Sequence, residues 1–554
     1  MADRPGSDTG PCYEEQMTST ERDLRAEAEA WMADDPDPAT REELRAALDR
    51  GDDLADRFAG PLRFGTAGLR GPLRAGPNGM NLAVVRAAAA GLVRWLADNR
   101  VEGPLVVGYD ARHGSHAFAV ETTRVATGAG RPALLMPRPL PTPVLAFAVK
   151  RHGAAAGVMV TASHNPPQDN GYKVYLGDGS QIVPPADVEI EHAIRTVGPL
   201  ADVPLGPPGE VLTEEIVQAY VDAAIGVVEP EVPRDLVVAY SPMHGVGRDV
   251  FVSTLTAAGY AAPFVVAAQA EPDPDFPTVA FPNPEEPGAT DLLLALARES
   301  GADIAIANDP DADRCAVAIP LADGGWRLLR GDEVGALLAD HLMRRGVQGR
   351  YATTIVSSSL LSRMCAAHGL PYGETLTGFK WIVRAGDDLV YGYEEALGYC
   401  VAPPIVRDKD GITAALLVCE LAAGLKAELR TLGDRLDELA EQYGVHATDQ
   451  LSVRVDDLSE IADAMATIRH RPPTELLDEA VTAIEDRLPQ SDVLIVRAGT
   501  TRVVVRPSGT EPKLKAYLEV VEPVVDGDVG KARETAAASL VALRTETAAA
   551  LGLR

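Results

Sequence analysis

Short apolar runs alternate with longer amphipathic stretches along most of the chain. Apolar residues recur with the period of a helix at residues 81–96 and 334–344. The short apolar runs, which are bounded by turn-forming residues and predict buried strands, are at 104–109, 154–160, 235–240 and 302–307. Strands that alternate with helices in this way indicate βα units around mixed or parallel sheets.

Breaks rich in proline and glycine, such as the one at residues 206–208, divide this rhythm into blocks. The last block has strands at 451–455 and 501–505 with longer helices between them, which is typical of an α+β domain. We therefore predict an α/β protein of four domains, three with mixed sheets and a C-terminal α+β domain. The predicted boundaries are a helical extension at 1–55 and domains at 56–206, 207–328, 329–445 and 446–554.

The charge of the chain limits its partners. Its 51 Lys and Arg against 81 Asp and Glu give a net charge of −30. Such a chain is repelled by nucleic acids and by anionic membranes, although a local basic site still admits an anionic substrate. We expect a cytoplasmic protein, because no signal peptide and no apolar run of about 20 residues is visible. The five scattered cysteines predict no disulfide framework or zinc site.

The loop with the sequence TASHNP at residues 161–166 directly follows a predicted strand. Ser163 would then lie at the carboxyl end of a sheet strand, which is where open α/β sheets bind ligands. Its hydroxyl is a candidate nucleophile or phosphate carrier, with His164 and Lys173 as polarising or cationic partners. The alternative is a simple turn, since serine, asparagine and proline all favour turns.

A second loop, DPDADR at residues 309–314, also follows a predicted strand. Asp309, Asp311 and Asp313 alternate along it and would repel one another unless a cation lay between them. A set of oxygen ligands without cysteine or histidine favours Mg²⁺. The alternative is an exposed acidic turn.

A third loop, RPSGTEPKLK at residues 506–515, combines basic side chains, hydroxyl groups and glycine in an acidic chain. These groups suit a phosphate, and the alternative is a β-hairpin with surface bases. Weaker candidates lie between the loops: Glu394 could bind a polyol, Lys409 a phosphate or hydroxyl, and Arg70 with the glycines before it could line a phosphate path.

Together these motifs resemble the α-D-phosphohexomutases, the phosphoglucomutase/phosphomannomutase superfamily. The serine, metal, sugar and phosphate loops occur in the order of that family and extend from about residue 60 to 520. The runs FGTAGLRG at 64–71 and GYEEA at 392–396 are most similar to the subgroup of phosphoglucomutase-2-type enzymes and phosphopentomutases.

The resemblance implies four domains around a central cleft, with one loop from each domain. It implies that Ser163 carries phosphate and is a further metal ligand beside Asp309, Asp311 and Asp313, which bind Mg²⁺. The implied contact for sugar hydroxyls is Glu394. The positions implied to hold the non-reacting phosphate are Arg506, Ser508, Gly509 and Thr510, and the further active-site positions are Arg70, Lys173, Arg314, Thr377, Lys409 and Lys515.

The implied reaction moves a phosphoryl group between two positions of a sugar through a bisphosphorylated intermediate. The expected partners are a phosphosugar and a sugar bisphosphate activator, and the chain is expected to be a monomer or homodimer. Lys173 or His164 would move the hydroxyl proton. Ala396 stands where many members carry serine, so the sugar remains open between glucose, mannose and a pentose. Three competing functions are a sugar bisphosphate synthase, a sugar phosphatase and a catalytically silent binding protein.

Overall fold

The computed structural model describes residues 19–51, 53–65, 68–455, 458–508 and 513–552. The chain divides into two compact units. Unit 1 comprises residues up to 140, 148–214 and 273–275, and unit 2 comprises 141–147, 215–272 and the rest of the chain from 276. Among the described residues, no helix is both long and apolar enough to cross a membrane.

Unit 1 begins with helices and continues as an α/β domain. Asn81 caps the helix that the pattern at 81–96 predicts, because its Oδ1 accepts a hydrogen bond from Val84 N at 3.0 Å. The helices are α1 (Ser19–Asp34), α2 (Pro38–Arg50), α3 (Leu54–Arg57), α4 (Leu82–Asp98), α5 (Ser115–Gly128), α6 (Thr142–Arg151, which begins in unit 2) and α7 (Ala186–Arg195). The strands are β1 (Leu69–Pro72), β2 (Leu105–Tyr109), β3 (Ala133–Leu135), β4 (Ala156–Val160), β5 (Asp169–Leu176) and β6 (Glu210–Val211).

The sheet of unit 1 is mixed, with the order β1-β5-β4-β2-β3-β6. Strands β4, β2, β3 and β6 run parallel, and β5 and β1 join the edge in antiparallel fashion. All residues of β2 and β4 are buried, which explains why these central strands appear as continuous apolar runs in the sequence.

The first sheet of unit 2 has the order β11-β10-β9-β7-β8 and pairs parallel strands with an antiparallel edge. Its elements are α8 (Glu215–Ala224), β7 (Val238–Ser241), α9 (Arg248–Ala257), β8 (Phe264–Val265), α10 (Asp291–Ser300), β9 (Ile304–Ala307), β10 (Ala316–Pro320) and β11 (Trp326–Leu328).

The second sheet of unit 2 has the order β13-β12-β14-β15, with only β15 antiparallel. Helix α14 is buried almost all round, which explains its uniformly apolar sequence. The elements are α11 (Gly331–Arg344), β12 (Arg350–Thr354), α12 (Leu360–His368), β13 (Tyr372–Thr375), α13 (Phe379–Ile382), β14 (Leu389–Glu394), β15 (Gly398–Cys400), α14 (Gly411–Ala427) and α15 (Leu432–Tyr443).

The C-terminal part of unit 2 is an antiparallel sheet of order β16-β22-β21-β20-β19 with helices, as the α+β prediction requires. Its elements are β16 (Val445–Arg454), α16 (Leu458–His470), β17 (Glu475–Leu476), β18 (Glu479–Ala480), β19 (Ala483–Asp486), β20 (Leu494–Ala498), β21 (Thr501–Pro507), β22 (Lys513–Glu522) and α17 (Val529–Ala550). The four cysteines among the described residues are buried and free: Cys315, Cys365, Cys400 and Cys419.

Candidate active site

Ser163 lies in the loop that follows β4, at the carboxyl end of a buried strand of unit 1. The residue is 3% exposed and its φ is 51°, in the left-handed region, which costs a residue with a Cβ about 1–3 kcal/mol. Its N–H donates to Thr161 Oγ1 at 2.9 Å, and its Oγ lies 3.2 Å from His164 Nδ1. Unit 1 therefore holds the predicted nucleophile in a strained conformation beside an imidazole.

Arg70 and Lys173 lie on β1 and β5, the two strands that extend the sheet beyond β4. Arg70 is on β1, and its Nη1 donates to Asn165 Oδ1 in the serine loop at 3.0 Å. Lys173 is on β5 opposite Met159 of β4 and is 6% exposed. The sheet thus places an arginine against the serine loop and buries a lysine on the strand next to β4.

The sequence analysis missed Arg112, which binds the serine loop from the end of the neighbouring strand β2. Its guanidinium donates to the main-chain oxygens of Ser163 (2.6 Å) and Pro166 (2.8 Å), among others. The run DARHGS at 110–115 follows a buried strand parallel to β4, so the argument that singled out Ser163 could also have found Arg112.

Asp309, Asp311 and Asp313 are completely buried in the loop after β9, so the exposed acidic turn is excluded. One carboxylate oxygen from each lies within 4.8 Å of the others. Three buried carboxylates at this spacing destabilise one another strongly unless a cation compensates them. The donor set therefore fits a hard divalent cation.

The backbone of this metal loop is tightly constrained. Ala312 adopts a left-handed φ of 53°, and Asp309 Oδ1 accepts a hydrogen bond from Arg314 N at 3.0 Å. Gly411 N donates to Ala312 O at 3.2 Å, and a Cβ at Gly411 would lie 2.2 Å from Arg314 O. Only glycine permits the first turn of α14 to approach the metal loop so closely.

Two further side chains of unit 2 contact the aspartates. Thr142, which the sequence analysis did not single out, donates from Oγ1 to Asp311 Oδ2 at 2.6 Å and from N to Asp311 O at 2.9 Å. Lys409 Nζ lies 3.3 Å from Asp313 Oδ2. The carboxylates are thereby oriented by partners that are distant in the sequence.

The sugar loop begins at Glu394, the last residue of β14. Glu394 Oε1 lies 3.9 Å from Lys409 Nζ, and the Lys409 ammonium lies 5.7 Å from the ring centroid of Phe379. Thr377 lies in the connection between β13 and α13. The structure thus brings Glu394 and Lys409 together, and their contact with a ligand stays a prediction.

Glu395 and Ala396 complete this loop before β15 begins. Glu395 Oε2 accepts from Thr354 Oγ1 and Ser357 Oγ, both at 3.3 Å. Burial is the main cause that raises the pKa of the Glu395 carboxyl. Ala396 offers no polar group at the position where many family members have serine.

The phosphate loop joins β21 to β22. Arg506 and Lys515 face each other in the register of this antiparallel pair, and Ser508 N donates to Lys513 O at 2.7 Å. Gly509 and Thr510 lie outside the described residues. Burial raises the pKa of Tyr517 on β22, and the Arg506 guanidinium opposes that shift.

A cavity of about 220 Å³ connects the sugar loop with the strand that follows the phosphate loop. Glu395 and Leu397 of the sugar loop line it together with Tyr517 of β22. The sugar loop and Tyr517 therefore border one space within unit 2.

Lys409 and Arg314 of unit 2 stay charged despite their burial. Burial disfavours the charge of Lys409, but Asp313 and Glu394 outweigh it and raise the pKa of Lys409. Burial also disfavours the charge of Arg314, but the carboxylates of Asp309 and Glu285 outweigh it and raise the pKa of Arg314. Burial raises the pKa of Glu394, although Lys409 opposes that shift. Positive charge is thus fixed beside the aspartates and the sugar loop.

Four domain families match the chain in succession. They are the α/β/α domains I, II and III of phosphoglucomutase/phosphomannomutase, at residues 61–199, 218–322 and 330–443, and its C-terminal domain, at 451–528. The residues at which one domain passes to the next stay predictions.

Known proteins similar to the chain are phosphosugar mutases. A Haemophilus influenzae protein named "Probable phosphomannomutase" is 46% identical over 80% of this chain and 93% of its own. The phosphopentomutase of Mus musculus is 31% identical over 91% of each chain. A solved structure from Thermus thermophilus, described as a "putative phosphomannomutase", is 27% identical, covers 87% of this chain and 99% of its own, and has a TM-score of 0.69. The chain therefore belongs to the phosphoglucomutase/phosphomannomutase family of the α-D-phosphohexomutases and is a phosphosugar mutase of the isomerase class.

Proposed function

We propose that this mutase interconverts the 1-phosphate and 6-phosphate of glucose, mannose or both, with Ser163 as phosphate carrier. The observation that supports it most is the similarity to the H. influenzae protein named "Probable phosphomannomutase", which is 46% identical over 93% of its length. The position of Ser163 at a strand end, 3.2 Å from His164 Nδ1, supports a covalent role for its hydroxyl.

In the proposed cycle, phosphorylated Ser163 donates its phosphoryl group to the free hydroxyl of a sugar monophosphate. The bond from Ser163 Oγ to phosphorus breaks as the sugar oxygen forms its own. The sugar hydroxyl loses its proton to His164 or Lys173, and a proton passes to the leaving Ser163 Oγ. The bisphosphorylated sugar then rotates in the site, and its other phosphate returns to Ser163. The Ser163 hydroxyl gives up its proton as Oγ bonds to phosphorus, and a proton passes to the leaving sugar oxygen. Positioning and charge stabilisation supply most of the catalysis in phosphoryl transfer.

We propose Mg²⁺ as the cation of Asp309, Asp311 and Asp313, because hard oxygen ligands suit it and it leaves positions for phosphate oxygens. When bound, the ion neutralises the charge of the transferring phosphoryl group. In the active enzyme, phosphorylated Ser163 is the proposed further ligand.

The substrate contacts follow from the loops. Glu394 accepts hydrogen bonds from sugar hydroxyls, and the loop around Arg506 holds the phosphate that is not reacting. The remaining proposed contacts are Arg70, Arg314, Thr377, Lys409, Ser508, Gly509, Thr510 and Lys515. Further proposals are a sugar bisphosphate that primes Ser163, a monomeric or homodimeric enzyme, and a cytoplasmic location.

A second candidate substrate is a pentose 1-phosphate. Two observations favour it: Ala396 removes a hydroxyl from the sugar loop, and the mouse phosphopentomutase is 31% identical over 91% of each chain. A pocket with fewer hydroxyl partners discriminates less against a sugar that has fewer hydroxyl groups.

The test is a panel of glucose, mannose, glucosamine, ribose and deoxyribose 1-phosphates, each with its bisphosphate activator and Mg²⁺. We expect isomer formation to exceed inorganic phosphate release by orders of magnitude, with the highest kcat/KM for a hexose. Peptide mass spectrometry should find one phosphate on Ser163, and Ser163→Ala should abolish turnover. Phosphate release without isomer would indicate a phosphatase, and a highest kcat/KM for a pentose would favour the second candidate.

A further inference from the structure

Arg112 is buried in unit 1 and binds the serine loop through main-chain oxygens. Its Nη2 donates to Ser163 O at 2.6 Å and also to Asn165 O. Its Nη1 donates to Pro166 O at 2.8 Å and to Asp169 O at 3.2 Å. One guanidinium thus donates hydrogen bonds to four main-chain carbonyl groups in and beside the loop that contains Ser163, the proposed phosphate carrier.

Arg112 is itself held from the end of β2. Its Nε lies 3.4 Å from Asp110 Oδ2, and its own N–H donates to Asp110 Oδ1 at 3.0 Å. Ser115 Oγ donates to the same Oδ1 at 2.6 Å. Both Asp110 and Arg112 are less than 5% exposed, so the guanidinium cannot swing away into solvent.

The serine loop needs such a clamp because its conformation is unfavourable by itself. Ser163 has a φ of 51°, and the chain around it turns so that its carbonyl groups converge. Convergent carbonyl dipoles repel one another, and buried ones without donors cost free energy. The planar fork of arginine satisfies several of them at once, whereas a lysine ammonium offers a compact point charge with at most three donors.

We infer that Arg112 is a positioning residue that holds Ser163 in the conformation in which its Oγ accepts and donates phosphate. Arg112 acts through the main chain of the loop and contacts neither substrate nor phosphate. The inference rests on the proposed role of Ser163 as carrier.

The test compares Arg112→Lys with Arg131→Lys. Arg131 is a matched control in the same unit, since it also donates to two main-chain oxygens, those of Gly103 (2.7 Å) and Val101 (3.0 Å). These residues precede β2 and β3, at the end of the sheet opposite Ser163. Kinetics, Tm and the rate at which a sugar bisphosphate phosphorylates Ser163 are measured for both variants.

A misplacement of about 1 Å at a reacting group costs on the order of 100-fold in rate. We therefore expect Arg112→Lys to lower kcat and the rate of Ser163 phosphorylation by about 100-fold while KM changes less than about threefold. Arg131→Lys should keep kcat within about twofold of the wild-type value, even if it lowers Tm by as much as Arg112→Lys does. For Arg112→Ala, millimolar guanidinium should restore part of the lost kcat, and urea at the same concentration should not.

Equal kcat in the two lysine variants, or a loss in Arg112→Lys that appears only in KM, would overturn the inference. If Arg112→Ala does not fold, the comparison of the two lysine variants decides alone. The proposed function fails separately, through an unphosphorylated Ser163 in the active wild-type enzyme or full activity of Ser163→Ala.

Discussion

Lys409 and Asp313 form a buried ion pair, with Lys409 Nζ 3.3 Å from Asp313 Oδ2. The same ammonium lies 3.9 Å from Glu394 Oε1, so one cation is shared by the metal loop and the sugar loop. We propose that a fixed positive charge at this place serves phosphoryl transfer, in which negative charge must be stabilised while the sugar is held.

Replacing Lys409 by methionine should separate catalysis from metal binding. Loss of one preorganised charge is expected to lower kcat about 100- to 1,000-fold. The affinity for Mg²⁺ should stay equal or rise, because the variant lacks the positive charge of Lys409, which repels a cation bound at Asp313. Lys426→Met is the control, since Lys426 pairs with Asp303 at 2.9 Å elsewhere in unit 2. Weaker Mg²⁺ binding in Lys409→Met, measured by calorimetry, would contradict the assignment.

Thr142 should tune the metal site through Asp311. Partners that orient a ligand typically contribute about 10- to 100-fold to metal affinity. Thr142→Val removes the hydroxyl that donates to Asp311 Oδ2 and should weaken Mn²⁺ binding by that factor, whereas Thr142→Ser should not. Asp311→Asn should weaken it further without lowering the Tm of the metal-free protein. Titration followed by electron paramagnetic resonance measures all three, and equal affinities for valine and serine would refute the role of Thr142.

Arg506→Lys should raise KM and lower kcat together. A bidentate contact to the non-reacting phosphate is lost, and poor anchoring also misplaces the reacting hydroxyl. Phosphorylation of Ser163 should remain intact because that residue belongs to unit 1. Arg497→Lys, on the adjacent strand β20, is the control. Steady-state kinetics of Arg506→Lys indistinguishable from those of the control would make Arg506 a surface residue of a hairpin.

Glu519 should make the C-terminal sheet sensitive to acid. Its Oε2 lies 3.0 Å from Arg502 Nη2, and its Oε1 accepts from Ser358 Oγ at 2.8 Å. Although burial opposes it, Arg502 and then His446 lower the pKa of Glu519 to about 2 from its ordinary value of 4.5. The stabilisation is therefore present above pH 4.5 and is lost as the pH falls towards 2.

Between pH 5 and pH 3 this lost contribution amounts to about 2 kcal/mol of unfolding free energy. Urea unfolding of the wild type and of Glu519→Gln should show a stability difference that shrinks by about this amount over that interval. A difference that is independent of pH would mean that Glu519 keeps an ordinary pKa in the folded protein.

Ala396→Ser should shift sugar preference. An added hydroxyl at this position can pair with a sugar hydroxyl, which is worth about 1–3 kcal/mol where the partner is otherwise buried and unpaired. The ratio of kcat/KM for glucose 1-phosphate to that for ribose 1-phosphate should therefore rise by about 10- to 100-fold. Leu397→Met, one residue further along, controls for general disturbance of the loop without placing a β-branched side chain at the left-handed φ of 62°. An unchanged ratio would remove Ala396 from the specificity determinants.

The sequence determined the central strands and the residue types that follow them. The run at 302–307 predicts β9 (Ile304–Ala307), and the aspartates after it are local to one loop, so spacing alone indicates a cation site. The periodicity of apolar residues and the preferences of turn-forming residues act over a few positions, so both can be recognised in a single sequence. The N-cap of α4 and the pairing of Arg506 with Lys515 across a short hairpin are likewise interactions between residues that are close in the sequence.

Only the tertiary structure decided which distant groups support these loops. Arg112 is 51 residues from Ser163, and Thr142 is 169 residues from Asp311. The connection after Tyr443 enters β16 at Val445, because β22 supplies a pairing edge that lies far along the chain. The left-handed backbone of Ser163 and Ala312 is equally invisible in sequence, since neither residue is glycine. Such conformations and contacts arise because the folded sheets bring together groups that no local pattern relates, and their packing free energy outweighs local backbone preference.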